Sequence, residues 1–272
     1  MSMERELQIL WAAVVAYVLA GVLAVIGVAL GKRPQRTILG LMAAGLALHT
    51  LSIGLRWERL AHGPFITMFE ILSSNVWSLM LVYTLAYWRL PRIRASAAVA
   101  MPVMFVMMGW LMVAHPGEGH YPATYNTPWL YIHIGLGKVF LGAVLVAVGL
   151  SGVILLRRAG FAVQRLAQLP EDRQLDELAF RCMAIGLVFH TLMLIAGAIW
   201  AQDAWGRYWD WDPLETWAFL TWLTVAFTIH TRVTFRISPA AHATMILAVF
   251  LIAFLTFFGV PFVSVTPHQG AV

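Results

Sequence analysis

A tryptophan-rich segment contains the residue types that suggest chemistry most directly. From Ala198 to Trp222 the sequence reads AIWAQDAWGRYWDWDPLETWAFLTW. An aromatic belt at a membrane interface explains one or two tryptophans at a helix end, whereas this segment interleaves many with charged residues. Indole rings offer stacking area and arginine pairs well with carboxylates, so the pattern favours a surface for a large, flat ligand. The residues concerned are Trp200, Trp205, Trp209, Trp211, Trp217 and Trp222, with Asp203, Arg207, Asp210, Asp212 and Glu215.

Part of this segment also has the pattern of a helix start. Asp212 is placed as an N-cap, Pro213 as the first helical residue, and Glu215 three residues after the cap. Asp212 and Glu215 therefore either line the binding surface or cap the next helix. The sequence leaves both interpretations open.

The composition indicates that such a surface must be built on a membrane protein. Of the 272 residues, 61% are hydrophobic and 11% are charged, whereas soluble domains have roughly 45–50% apolar and about 25% charged residues. These values exclude a disordered chain and an ordinary soluble enzyme. The net charge of +5 does not indicate a nucleic-acid partner, because the basic residues are not clustered. A single cysteine, Cys182, excludes an internal disulfide.

Eight apolar runs are long enough to cross a hydrocarbon layer of about 30 Å as helices. They are 9–31, 38–56, 67–88, 95–114, 129–156, 180–201, 213–231 and 240–261. We therefore expect an all-α, polytopic bundle of eight transmembrane helices that forms one integral membrane domain over residues 1–272. The segment 157–178 is expected to be a short surface helix and a linker.

Basic residues predict the orientation of this bundle, because cytoplasmic loops are enriched in them. One set of loops contains Lys32, Arg33, Arg36, Arg89, Arg92, Arg94, Arg157, Arg158, Arg165, Arg173, Arg181, Arg232 and Arg236. The opposite side has only Arg5, Arg56, Arg59 and Arg207. We expect a plasma-membrane protein with the first set of loops in the cytoplasm. Both termini and the tryptophan segment, about 200–222, are then extracytoplasmic.

Two stretches of the chain resemble a known family. WGRYWDWDPLETW resembles the WWD signature of the haem-handling proteins of cytochrome c biogenesis, and within them the CcsA/ResC type. GLRWERLAHGPFITMFEILSSNVW, residues 54–77, is similar to the first outer loop and following helix of that type. The related CcmC type has six spans and a different continuation after the tryptophans. Eight spans and the PLETW continuation therefore favour the CcsA/ResC type.

The resemblance implies roles for three histidines. His133, near the outer end of the fifth span, and His268, in the tail, match the family's two outer axial ligands of haem iron. The tail reads TPHQG, where the family usually reads close to GLHSYG. His230 matches a histidine that ligates haem inside the membrane opposite one from a partner, and His242 is an alternative second ligand within this chain. The implied haem platform comprises Trp205, Arg207, Trp209, Trp211, Asp212 and Trp217.

Other polar residues inside the spans are expected to be structural. His49 and His190 are interpreted as hydrogen-bonded packing residues or as lining of a haem path. Glu70 is expected to pair with Arg56 or Arg59. No catalytic residue is assigned.

The resemblance implies a haem transport and presentation subunit of a membrane cytochrome c synthase, part of a haem lyase complex. Such a subunit holds haem b at the outer face for thioether attachment to the CxxCH motif of apocytochrome c, together with a ResB-type membrane partner. One alternative is a bis-histidine haem b electron-transfer subunit, for which His49 and His190 would supply a ligand pair. Another is a small-molecule transporter, which predicts inverted repeats and broken helices that the sequence does not display.

Overall fold

The computed structural model describes residues 3–32, 34–63, 65–119, 123–161, 166 and 169–263. Over these ranges the chain forms helices and connecting segments and contains no β-strand. The long helices are α1 Met3–Leu30, α2 Gln35–Leu60, α3 Met68–Arg89, α4 Ala97–Val113, α5 Pro128–Arg158, α6 Asp172–Trp205, α7 Pro213–Phe235 and α8 Pro239–Phe254. A π-helical turn, Leu255–Gly259, and a last helical turn, α9 Val260–Val263, continue α8. The predicted all-α fold class is confirmed.

Seven helical segments of the described chain are long and apolar enough to cross a membrane. They are Met3–Leu30, Gln35–Leu60, Met68–Arg89, Pro91–Val113, Pro128–Arg158, Asp172–Trp205 and Pro239–Gly259. The eighth predicted span, 213–231, forms α7, a more polar helix that carries Glu215, Arg232 and a series of threonines. The chain is a multi-pass membrane protein, and its number of long helices agrees with the eight predicted spans.

One predicted boundary is wrong. The segment 157–178 was expected to form a surface helix and linker, but α6 already begins at Asp172. Hydropathy misses this first part of α6 because it is charged. Ion pairs to α7 hold it instead: Arg232 contacts Asp176 and Glu177, each at 2.9 Å.

The chain divides into two compact units. The first comprises residues 1–119 and 156–171, and the second comprises residues 120–155 and 172–272. The expectation of one integral membrane domain over residues 1–272 stays a prediction.

The first unit contains a buried ion-pair cluster. The Arg56 side chain on α2 is 5% exposed and lies 2.8 Å from Glu6 of α1 and 2.9 Å from Glu70 of α3. The same guanidinium donates to the carbonyl oxygens of Pro116 and Gly117, which follow α4. Glu70 also accepts hydrogen bonds from backbone N–H groups at the start of α3, where it forms a capping box with Thr67. One arginine therefore connects three helices and a loop, and the predicted pairing of Glu70 with Arg56 is confirmed.

A second polar contact inside this unit involves His49 of α2. Its Nε2 lies 3.0 Å from the Ser73 hydroxyl of α3, and its ring lies 6.0 Å from that of Tyr17 on α1. Gly45 makes the approach of α1 possible, because a Cβ there would lie 2.5 Å from the Tyr17 ring. His49 is thus a hydrogen-bonded packing residue, the first of the two roles that the sequence suggested for it.

Removing the central arginine should destabilise the first unit strongly. Arg56→Ala removes the cation that pairs with the buried Glu70 and leaves Glu6 with Arg59, which costs about 3–5 kcal/mol of unfolding free energy. The matched control is Glu118→Ala. Glu118 pairs with Arg59 but is 61% exposed, so its loss costs at most about 1 kcal/mol. Unfolding of the purified variants in detergent measures both values, and equal effects would contradict the central role of Arg56.

Candidate functional site

The loop between α6 and α7, residues Gly206 to Asp212, is held by its own carboxylates. Asp212 is the N-cap of α7, and its carboxylate accepts a hydrogen bond of 2.8 Å from the Glu215 N–H. The Glu215 carboxylate accepts one of 2.7 Å from the Asp210 N–H, so it bonds further back in the loop than a regular capping box would. Both carboxylates are buried. Asp212 and Glu215 therefore fix the loop conformation, which is the structural role that the sequence left open.

Trp211 lies in the left-handed region of backbone space, with φ of +57°. A bulky residue rarely adopts this conformation, which costs on the order of 1–3 kcal/mol. The Thr216 hydroxyl donates to the Trp211 carbonyl at 3.1 Å and helps to hold it. The Trp211 residue is 66% exposed, and Tyr208 in the same loop is 59% exposed. The loop thus presents large aromatic rings outward at the expense of backbone strain.

The rings of the loop and of α7 form what we call the loop aromatic cluster: Trp209, Trp211, Phe219 and Trp222. Trp209 packs edge-on against Trp211 at 5.6 Å, and Phe219 is parallel to Trp222 at 6.0 Å. Trp222 is fixed by a 2.8 Å hydrogen bond from its indole N–H to Thr191 of α6. The Trp209 indole N–H is buried and has no acceptor among the described residues. An unused donor beside exposed rings suits a polar group of a bound ligand.

Arg207 forms an ion pair with Asp210 of the same loop, at 2.7 Å. Their side chains are 48% and 40% exposed, so the pair contributes little to stability. A carboxylate on a ligand can therefore replace Asp210 on the Arg207 guanidinium at small cost.

Trp200 and Trp205, near the end of α6, belong to a separate group. We call it the Tyr125 cluster: Tyr125, Leu130, Trp200 and Trp205. Tyr125 and Trp200 meet edge-on at 5.1 Å, and Trp200 meets Trp205 at 5.0 Å. Tyr125 and Trp200 are buried and Trp205 is half-buried, and this burial raises the pKa of the Tyr125 phenol. The sequence treated the six tryptophans as one surface, and the structure divides five of them between two groups. Trp217 is half-buried on α7, and its carbonyl accepts hydrogen bonds from Thr221 and Thr256.

His133 lies next to the Tyr125 cluster, on α5. Its Nδ1 is 2.9 Å from the carbonyl oxygen of Met193 on α6, and its ring is nearly parallel to that of Trp200 at 6.3 Å. A carbonyl can only accept, so the proton is on Nδ1 and the Nε2 atom carries the lone pair. Ligation of a metal through Nε2 requires this tautomer, and a backbone carbonyl commonly fixes it.

Gly197 provides the space for this imidazole. A Cβ at that position would lie 2.7 Å from Nδ1 and 2.9 Å from Cε1 of His133. The sequence analysis missed both Met193 and Gly197. The small-residue run AGA at 196–198 was the available signal, since it marks a place where another element approaches α6 closely.

The remaining predicted ligands have different surroundings. His268 lies outside the described residues. His230 is exposed near the end of α7, where its ring contacts Phe235 edge-on. His242 at the start of α8 is fully buried, and its Nδ1 lies 2.5 Å from Asp176, the carboxylate that Arg232 also contacts. No group of three or more His, Cys, Asp or Glu side chains in the described ranges is arranged to hold a metal ion.

Comparisons with known proteins agree on one family. Residues 41–268 match the family described as cytochrome C assembly protein. The chain is 27% identical over 270 residues to the cytochrome c biogenesis protein CcsA of Panax ginseng, covering 85% of this chain and 84% of that one. It is 28% identical over 255 residues to CcsA of Vitis vinifera, with 79% of each chain covered.

A solved structure shares the fold. The cytochrome c heme lyase CcmF superposes with a TM-score of 0.73 at 17% identity, over 93% of this chain. This chain spans 46% of the length of that structure. The likeness concerns the helical fold.

The backbone strain at Trp211 predicts that glycine is more stable than alanine at this position, the reverse of the usual order. Trp211→Gly and Trp211→Ala both remove the ring, but only glycine adopts positive φ without cost. The glycine variant should therefore be more stable by about 1 kcal/mol. The same pair at Trp217, inside α7, should rank in the usual order, with alanine more stable by about 1 kcal/mol. Thermal unfolding of the four variants in detergent measures the ranking. An alanine preference at both positions would show that Trp211 is not strained.

Proposed function

The chain belongs to the cytochrome c assembly protein family, and on that premise we propose that it transports haem and presents it for attachment to apocytochrome c. Haem b is the substrate, held at the extracytoplasmic side of the plasma membrane, where the two thiols of a CxxCH motif add to its vinyl groups. Each S–H adds across one C=C bond, so a thioether and a new C–H bond form and no net oxidation occurs. This chain contributes binding and orientation, while haem and the apocytochrome supply the reacting groups.

The observation that carries the proposal is the hydrogen bond from His133 to the Met193 carbonyl. It directs the lone pair of His133 to Nε2, the atom through which an outer axial ligand would bind iron. Histidines that ligate a metal commonly donate their other ring N–H to a backbone carbonyl in this way. His268 is proposed as the second axial ligand.

The loop between α6 and α7 supports the same proposal from its chemistry. A porphyrin is flat and apolar, with carboxylates at one edge. The loop offers the exposed Trp211 ring, the buried indole N–H of Trp209 and an arginine in a weak ion pair. Stacking contributes about 0.5–1.5 kcal/mol per aromatic pair beyond area burial. Arg207 is proposed to bind a haem carboxylate after exchanging its partner Asp210.

The names of the similar proteins point the same way. The CcsA relatives are cytochrome c biogenesis proteins, and the solved structure with the same helical fold is a cytochrome c heme lyase.

We propose a ResB-type membrane protein as the partner that completes the synthase. His230 is proposed to ligate haem nearer the cytoplasm, opposite a histidine of that partner. The electron-transfer alternative is less well supported, because His49 already bonds Ser73.

The first test changes the imidazole and its support separately. His133→Ala should lose haem from the outer site and shift the Soret band of what remains, and imidazole added to His133→Gly should restore part of the loss. Gly197→Ala keeps the histidine but pushes it off the Met193 carbonyl, so we expect haem affinity to fall about 10–100-fold. Pyridine haemochrome yield and absorption spectra of the purified proteins measure these effects.

The matched control for the glycine change is Gly135→Ala on α5, where an added Cβ meets nothing within 4 Å. It should retain the haem content of the unmodified protein. A normal haem content and spectrum in His133→Ala would overturn the ligand assignment.

The second test concerns orientation. In a Cys182→Ser background, a cysteine replacing the exposed Asp203 should react with a membrane-impermeant maleimide in intact cells. One replacing the exposed Thr234, at the other end of α7, should react only after the membrane is opened. The reverse pattern would place the tryptophan segment in the cytoplasm and refute presentation at the outer face.

A further inference from the structure

His190 of α6 is a fully buried imidazole whose ring nitrogens have no hydrogen-bond partner in the part of the chain that the structure describes. The sequence analysis expected either a hydrogen-bonded packing residue or the lining of a haem path, and among the described residues no hydrogen bond to His190 is found. A buried polar group without a partner costs about as much as a lost hydrogen bond, and an apolar side chain of similar size would avoid that cost. His190 therefore requires an explanation other than packing.

The surroundings of His190 are aromatic. Its ring lies almost parallel to that of Phe140 on α5 at 4.1 Å, and the ring of Phe257 is 6.4 Å away. Both rings are apolar, and apolar surroundings of a nitrogen ligand suit an iron porphyrin better than a hydrated ion. The described residues also contain no group of three His, Cys, Asp or Glu side chains that would hold a bare metal here.

The position of His190 relates it to the outer site. His133 bonds the carbonyl of Met193, and His190 precedes Met193 by three residues on the same helix. At a rise of 1.5 Å per residue, the point where His133 contacts α6 lies about one helical turn from His190. Along α6, His190 is the more distant of the two from the tryptophan loop, which begins where α6 ends at Trp205.

The helix that covers His190 is already irregular. Phe257 lies in the π-helical turn Leu255–Gly259, which is anchored by hydrogen bonds of the Thr256 hydroxyl to Trp217 and Ile252. Single π-helical turns occur often at functional sites. A ligand can reach the buried ring only if a neighbouring ring moves, and Phe257 lies in this irregular turn and not in regular α-helix.

We infer that His190 is a transfer ligand for haem iron, one helical turn deeper than His133. Haem iron binds a ring nitrogen of His190 and then exchanges it for Nε2 of His133 as the porphyrin moves toward the tryptophan loop. One iron–nitrogen bond breaks as the other forms, and neither a proton nor an electron is exchanged. The inference rests on the proposed haem-handling function.

The experiment detects haem that stays bound at His190 when the outer ligand His133 is removed. His133→Ala should retain a minor haem species with its own Soret and reduced α bands, and His133→Ala/His190→Phe should lose that species. His190→Phe alone should keep the outer-site spectrum at equilibrium, slow the formation of holocytochrome c, and unfold at a temperature no lower than the unmodified protein. Ferric haem b added to the purified full-length variants serves as the probe.

The matched control is His49→Phe in the His133→Ala background. His49 is equally buried but bonds Ser73, so its replacement should lower the unfolding temperature and leave the minor haem species unchanged. The inference is overturned if the double variant with His190→Phe keeps the minor species, or if His190→Phe makes holocytochrome c at the unmodified rate. The proposed function fails separately, through an unchanged haem content in His133→Ala.

Discussion

A single hydrogen bond between helices, from His133 to the carbonyl of Met193, connects the fold of this chain to its proposed chemistry. The carbonyl belongs to α6, whose far end leads into the tryptophan loop. The bond forms only because residue 197 has no side chain, since even a Cβ would lie inside the imidazole contact distance. The packing of α5 against Met193 and Gly197 of α6 therefore determines which nitrogen of His133 carries the lone pair.

The helices were predictable because crossing a membrane imposes length and hydropathy on each of them. The parts that were not predictable are held by charge. The first turns of α6 lie in a segment that hydropathy assigns to a linker, and they are helical because Asp176 and Glu177 pair with Arg232 of α7. Such pairing joins residues 55 or more positions apart in sequence, so no local pattern reveals it.

The site was predictable to a similar extent. The sequence offered the cap at Asp212 as one of two interpretations, because spacing along one helix start reveals a possible cap, and the structure contains that cap. It did not indicate that Trp200 and Trp205 pack with Tyr125 while Trp209 and Trp211 pack with Phe219. That division depends on the left-handed backbone at Trp211 and on the turn at Gly206, whose φ is +81°, and backbone angles of single loop residues are not encoded in residue type alone. The sequence also did not indicate that His190 lacks a hydrogen-bond partner among the described residues, since only the packed structure reveals which neighbours surround a side chain.

The ion pair between Arg207 and Asp210 has a consequence for turnover. In the proposed function the chain delivers its substrate to another protein and must then release it, and very tight binding would make dissociation the slowest step. Asp210 lies three residues after Arg207 in the same loop. Its carboxylate can therefore return to the guanidinium whenever a bound carboxylate leaves it. The Asp210 carboxylate thereby competes with any bound anion for Arg207, at a local concentration fixed by the loop. This competition shortens the residence time of the anion on Arg207. Release of the ligand then becomes faster as its other contacts weaken.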